Sequence, residues 1–326
     1  EFFTSYLKHA VGKPDTFLEV QELVNNAKVM GINVMPPSIT NMNEEFGLIN
    51  NNPTYGITNV KGVGSSVFTK MKKDMEELGI NPMECDWNCF LLCVSPTVNK
   101  KAFEALILAG CFDCFKIPRT QMMHEFSVIK ELSKREKTWL RSYALDKRGS
   151  TVSECLEDMV EASMNKDKNR PIFRKDRVPV VQDLINSYSN PGYSLTDSFS
   201  WLAKQENDYL GISLTCNKVD EYNTDMSNCS CKEFVNGFES THGIVLAVQI
   251  ERVREWKIKN GRAKGQKMAF VTASDSSCSI DNITVFSDEW AKYKKLIYEG
   301  NTVLLRGSRD KGRGGFLLKR AEQLRS

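Results

Sequence analysis

Histidine is nearly missing from this sequence. Its three copies, His9, His124 and His242, lie far apart in 326 residues, which leaves little for a histidine-based metal or acid–base centre. No GxxxxGK, GxSxG or HExxH pattern occurs, and no strand carries a paired-aspartate signature. The sequence therefore offers no catalytic residue and no metal site. It has no run of eighteen apolar residues to span a membrane as a helix, and no charged-then-apolar leader. A start at Glu1 rather than Met leads us to expect a piece of a longer product.

Cysteine is present without a framework. Ten cysteines scattered through a chain lacking a secretion signal predict free thiols of a cytoplasmic protein. Cys111 and Cys114 form a CxxC, and Cys229 and Cys231 a CxC, which with His242 would be the raw material of a zinc site. Buried or surface thiols are the preferred reading. Cys85, Cys89 and Cys93 recur at helical spacing among apolar residues and read as core.

Charge is uneven. The formal net charge is only +3, yet residues 242–326 hold 17 Lys and Arg against 9 Asp and Glu, while the other 241 residues hold 27 against 32. A basic carboxy-terminal region on a slightly acidic remainder points to a polyanionic partner, DNA or RNA.

Residues Tyr55–Met71, YGITNVKGVGSSVFTKM, organise the chain. They read as a short helix, a tight turn in which Gly62 and Gly64 bracket Val63, and a second helix capped by Ser65 or Ser66 with Val67, Met71, Met75 and Leu78 on its apolar face. Free amides at a helix start beside Lys61 suit a phosphate. The expected phosphate-binding residues are Lys61, Gly62, Val63, Gly64 and Ser65. The same residues also fit an ordinary turn between two core helices. A second, degraded hairpin is expected at Ser95–Asn99, with Thr97 capping a helix that runs to Ala109.

Elsewhere the reading is coarser. Asp15 or Thr16 caps a helix burying Phe17, Val20, Val24 and Ala27, which Gly31 ends. Trp87, Phe90, Leu91 and Val94 predict a buried helix, Arg119–Ser142 one long helix and Thr151–Met164 another. Lys166–Arg177 reads as a solvated basic loop, and 189–200 as a turn-rich linker. Residues 240–326 alternate like strands: Gly243–Val253, Lys267–Asp275, Ser279–Phe286, a helix over Asp288–Tyr298, then Thr302–Asp310 and Gly314–Leu324. Three strands, a helix and two strands is the order of an OB-fold barrel. Its first loop carries Lys257, Lys259, Arg262, Lys264 and Lys267, and its last Arg309, Lys311 and Arg313. Phe270, Trp256 and Phe316 are candidate stacking platforms for the bases of a single strand.

Four motifs in order resemble the alpha subunit of bacterial-type (C-family) replicative DNA polymerase: GINVMPPSI at Gly31–Ile39, YGITNVKGVG at Tyr55–Gly64, LILAGCFD at Leu106–Asp113 and ENDYLGISLT at Glu206–Thr215. They are spread over roughly two thirds of the chain. The resemblance implies a multidomain α+β chain: residues 1–54 as the end of the polymerase fingers, 55–115 as a helix-hairpin-helix module on duplex DNA, 116–200 as a helical linker, 201–241 as a connection and 242–326 as the OB-fold domain. It implies that the hairpin holds primer–template duplex, that the OB domain takes single-stranded template, and that the palm, with its magnesium ions and deoxynucleotides, lies in an upstream part of the parent nucleotidyltransferase. In that family a short peptide docks on the sliding clamp; the nearest candidate is QDLINSY, with Gln182, Leu184, Ile185 and Tyr188 as anchors. The alternatives are a separate DNA-binding accessory chain that completes a split polymerase, or a nucleic-acid-processing enzyme using the same modules.

Overall fold

The computed structural model describes residues 1–11, 15–147, 149–164, 172–261 and 263–325. They form two compact units, one of Met35–Asp197 with Asp208–Leu210, the other of Phe2–Val34, Ser198–Asn207 and Gly211–Ser326. In chain order the elements are α1 (Phe2–Ala10), α2 (Thr16–Val29), β1 (Gly47–Ile49), β2 (Asn52–Thr54), α3 (Ser65–Leu78), α4 (Trp87–Val94), α5 (Lys100–Leu108), α6 (Arg119–Glu131), α7 (Lys134–Asp146), α8 (Val152–Met164), α9 (Val178–Ser189), α10 (Phe199–Leu210), α11 (Cys231–Val235), β3 (Ile244–Lys257), β4 (Lys267–Ser274), β5 (Ser279–Val285), α12 (Ser287–Tyr293), β6 (Thr302–Arg309) and β7 (Phe316–Gln323).

The first unit is helical. Its core is an aromatic cluster: Phe90 packs on Phe112 and Phe115 at 5.1 and 5.2 Å between ring centroids, and Phe103 on Phe126 at 4.7 Å. Each fully buried ring brings roughly 1.5–3 kcal/mol of transfer free energy. The indole of Trp87 joins this cluster and donates to the Glu125 carboxylate, which satisfies its one polar atom. Gly110, just past α5 with φ +81°, favours glycine: a Cβ there would lie 2.2 Å from the Arg119 guanidinium, which would have to give way. Arg119 is buried and donates to both oxygens of Asp113 and to the Leu108 carbonyl. Asp197 caps α6 by accepting from the Arg119 and Thr120 amides.

Three local expectations are corrected here. Arg119–Ser142 is two helices, because Ser133 and Glu136 form a reciprocal capping box that starts α7 afresh. The second hairpin is capped by Asn99, whose Oδ1 accepts from the Lys101 and Ala102 amides, while Thr97 turns back to the Val94 carbonyl. A two-stranded ribbon, β1 and β2, joined by Asn50 and Asn51 at positive φ, lies where irregular chain was expected.

The second unit is built on a closed five-stranded barrel in the order β3-β4-β5-β7-β6, antiparallel except for the parallel pair β5 and β7. This is the OB-type arrangement, with α12 between the third and fourth strands. Leu246, Val248 and Ile250 of β3, Val271, Ile283, Val303, Leu305 and Phe316 fill it. The unit also contains α1 and α2; Asp15 caps α2, and Val20, Val24 and Ala27 are its buried face. Strand β3 runs four residues past the expected Val253, because Arg254–Lys257 stay paired with Lys267–Phe270. The barrel helix is correspondingly shorter than expected, ending at Tyr293.

Candidate nucleic-acid interface

The hairpin in the first unit is a single 3-10 turn, Ile57–Asn59, a tight loop and α3. Gly62 has φ +87°, a backbone that favours glycine. Gly64, in extended conformation, is itself the N-cap of α3, so the predicted serine cap is corrected: Ser65 and Ser66 are the first two helical residues. Met71 and Met75 are buried as expected, Phe68 joins them, and Val67 and Leu78 are half-buried. Val63 is buried and fixes the loop, its amide donating to the Val60 carbonyl, and the Lys61 amide donates to the Tyr209 carbonyl. The first bonds of α3 run from Val67 and Phe68 to Gly64, which leaves the amides of the exposed residues Gly64, Ser65 and Ser66 without a backbone partner, near exposed Lys61. The positive end of the helix dipole and these amides have the chemistry that suits an anion. In the second hairpin the Asn99 side chain occupies the equivalent amides, and the exposed Lys100 and Lys101 supply charge instead.

In the second unit one predicted basic loop leaves the far end of β3 after Lys257, and the other follows β6, whose last residues pair with the start of β3. Lys257 and Lys267 are paired directly across the β3–β4 ladder, and Lys259 and Lys264 stand exposed in the loop that joins them. Arg262 lies outside the described residues. Lys267 pairs with Glu255 at 2.5 Å, and the Lys259 ammonium sits 5.5 Å from the Trp256 ring centroid. Lys311 and Arg313 are exposed in the last loop, which Asp310 closes by accepting from the Gly312 amide. Arg309 differs from them. Its guanidinium lies 4.1 Å from the Phe234 ring centroid and donates to the Gly314 and Phe234 carbonyls, so it holds the loop to α11. Phe316 is fully buried against Phe234 and cannot stack on a base; the expected platform there is corrected. Trp256 and Phe270 keep 47% and 39% of their surface exposed.

Sequence reasoning missed Arg252 and Arg254. On β3 they alternate with Val253, which packs into the core, and so project from the outer face with Trp256. Across the ladder Arg252 faces Thr272, Arg254 faces Phe270 and Trp256 faces Met268. Their period of two, RxRxW, was the available signal. This face and α2 wall a groove of about 590 Å³, to which α2 contributes Leu18, Gln21, Glu22 and Asn25. A bulge at Glu251 breaks the register between Ile250 and Arg252 and turns the Glu251 carboxylate to accept from the Ser279 hydroxyl at 3.1 and 3.2 Å. Burial, reinforced by Asp281, raises the Glu251 carboxyl above its usual range, although the Ser274 and Ser279 hydroxyls and Lys28 oppose the shift.

The structure does not bring the remaining predicted residues to either surface as an extended peptide. Gln182, Leu184, Ile185 and Tyr188 lie in α9, with Ile185 buried, Leu184 and Tyr188 half-buried and Gln182 exposed. Of the basic loop at 166–177, residues 166–171 lie outside the described residues, and Arg177 pairs with the buried Glu136 at 2.9 Å. All ten cysteines are free thiols; burial pushes Cys85 up to about 12 and Cys229 to about 11, the direction of inert thiols. Among the described residues no group of three His, Cys, Asp or Glu side chains could hold a metal ion, and none of the described helices is long and apolar enough to cross a membrane.

Known proteins resemble this chain in the same terms. A family model described as a helix-hairpin-helix motif matches residues 31–122. DNA polymerase III subunit alpha of Staphylococcus aureus (strain MRSA252) is 22% identical over 321 residues, covering 95% of this chain and 24% of the relative. The subunit of the same name from Borreliella burgdorferi is 24% identical over 323 residues, covering 92% of this chain and 24% of the relative. The chain thus spans about a quarter of the length of the curated relatives it matches. By these comparisons the chain is similar to a region of DNA polymerase III subunit alpha and contains a helix-hairpin-helix motif.

Proposed function

We propose that this polymerase III alpha-like region grips DNA for a template-directed DNA polymerase, with duplex on its hairpin and single-stranded template on its barrel. The observation that carries the reading is the start of α3, where the Gly64 and Ser65 amides have no backbone partner and stand near exposed Lys61, a chemistry that suits a backbone phosphate and ignores base identity. The basic loop between β3 and β4 and the Arg252–Arg254–Phe270 face support the single-strand part, since charge that tracks a backbone beside an aromatic face is how single strands are held. The mechanism is positional. Phosphate contacts set affinity and register, and each neutralised phosphate adds about 0.9 to the logarithmic salt slope on duplex.

Chemistry belongs to the rest of the parent protein. No residue of this chain is assigned to catalysis, and magnesium and deoxynucleotides would be held elsewhere. A clamp contact through Gln182 would have to use the exposed side of α9, because Ile185 is committed to the core.

Fluorescence anisotropy of the purified chain with duplex, single-stranded and primer–template DNA, at two salt concentrations, tests the proposal. Changing Gly62 and Gly64 together to proline should weaken duplex binding alone. Changing Arg252, Arg254, Lys257 and Lys259 together to alanine should weaken single-strand binding alone. Equal losses on both ligands, or none, would contradict the division of labour.

A further inference from the structure

The groove on the barrel opens onto a second concavity in the same unit. A cavity of about 210 Å³ is lined by Gln21, Asn25 and Lys28 of α2, by Gln249 and Glu251 of β3, and by Ser274, Asp275 and Ser279 of the neighbouring strands. Gln21, Asn25, Glu251 and Ser279 line both spaces. A cavity of about 150 Å³ takes up benzene, so this one has room for a six-membered ring with exocyclic groups. Its lining is polar. Asn25 and Asn217 are spent on internal bonds, to Ser279 and to Ser274 and Val219. Lys28 is held less firmly: the hydrogen bond it makes to the Ser213 carbonyl is a long 3.5 Å. Burial lowers the Lys28 ammonium and raises the Glu251 carboxyl, so neither group is well solvated.

We infer that this cavity takes one unstacked base of the single strand that follows the groove. The ammonium of Lys28 and the carboxylate of Glu251 put a donor and an acceptor in one lining, and the edge of a nucleobase offers both complements. A phosphate is disfavoured there by the Glu251 and Asp275 carboxylates. An apolar ring would add no partner to the Lys28 ammonium, whose one bond among the described residues is the long one to Ser213. The inference rests on the reading of the groove as a single-strand site, since the strand must pass Arg252 and Arg254 to deliver the base.

The test compares a single-stranded oligonucleotide with an abasic phosphodiester of the same length, by anisotropy on the full chain. Wild type should bind the base-bearing strand roughly tenfold more tightly, the order of one well-held base. Gln249→Trp, which fills the cavity, and Lys28→Met, which removes its donor, should abolish most of that preference and leave abasic binding unchanged. A 2-aminopurine in the oligonucleotide should brighten as it unstacks on wild type and stay dim on Gln249→Trp. If folded variants keep both the preference and the brightening, the base is read elsewhere and the inference fails while the groove reading survives. If wild type binds neither strand, the groove reading itself has failed. Should Gln249→Trp not fold, by thermal melting, Lys28→Met decides alone.

Discussion

The two glycines of the hairpin should behave differently when each becomes alanine. Gly62 has φ +87° and nothing within 4 Å of where a Cβ would stand, so the substitution meets no clash and its cost is conformational. An L-residue forced into left-handed backbone loses about 1–2 kcal/mol. Gly64 also has open space around its Cβ direction, but its φ of −103° and ψ of 167° suit any residue. Gly64→Ala should therefore change stability by less than about 0.5 kcal/mol, like an ordinary surface substitution. Binding reverses the order of interest. A methyl at Gly64 stands beside the free amides that would meet a phosphate, so Gly64→Ala should weaken duplex binding with stability intact. Gly62→Ala should lose both. Urea denaturation and duplex anisotropy on the two variants decide it. Neutral stability for Gly62→Ala, or unchanged duplex affinity for Gly64→Ala, would refute the reasoning.

Three further outcomes follow from the same geometry. Arg119→Met should destabilise the first unit by about 2–3 kcal/mol in urea, less than a fully buried pair because the Asp113 carboxylate is 43% exposed and regains water. Burial alone would raise Glu136, but bonds from Arg177 and the Ser133 amide hold it below the usual carboxylate range. Its stabilising contribution is complete above the unfolded value near about pH 4.3 and is lost as pH falls through the lower folded value; Glu136→Gln should flatten that acid limb in thermal melts. Removing Arg252 or Arg254 should each reduce the single-strand salt slope by about 0.7, whereas Arg309→Ala should lower the melting temperature and leave the slope unchanged, since Arg309 packs on Phe234.

Much of the barrel was legible because apolar residues cluster in short segments at β4, β5 and β6, and glycines mark the connections after β3, before β6 and before β7. The end of β3 was not: Arg254–Lys257 are all exposed, so only the ladder partner β4 makes them a strand. The same feature hid Arg252 and Arg254. The break between α6 and α7 was masked because Ile129 and Leu132 continue the apolar period, although the Ser133-to-Glu136 spacing marked a new start. In the hairpin, glycine spacing points to the turn, but a serine beside a helix start invites the cap that Gly64 holds. The role of Arg309 could not be read at all, since its partner Phe234 is 75 residues away in the chain.

The most direct measurement of the central claim is site-specific photocrosslinking on one primer–template with a long single-stranded overhang. A crosslinker at Ser65 should attach to the duplex portion and one at Trp256 to the overhang. Crosslinks from both positions to the same part of the DNA, or from neither, would contradict the assignment of duplex to the hairpin and single strand to the barrel.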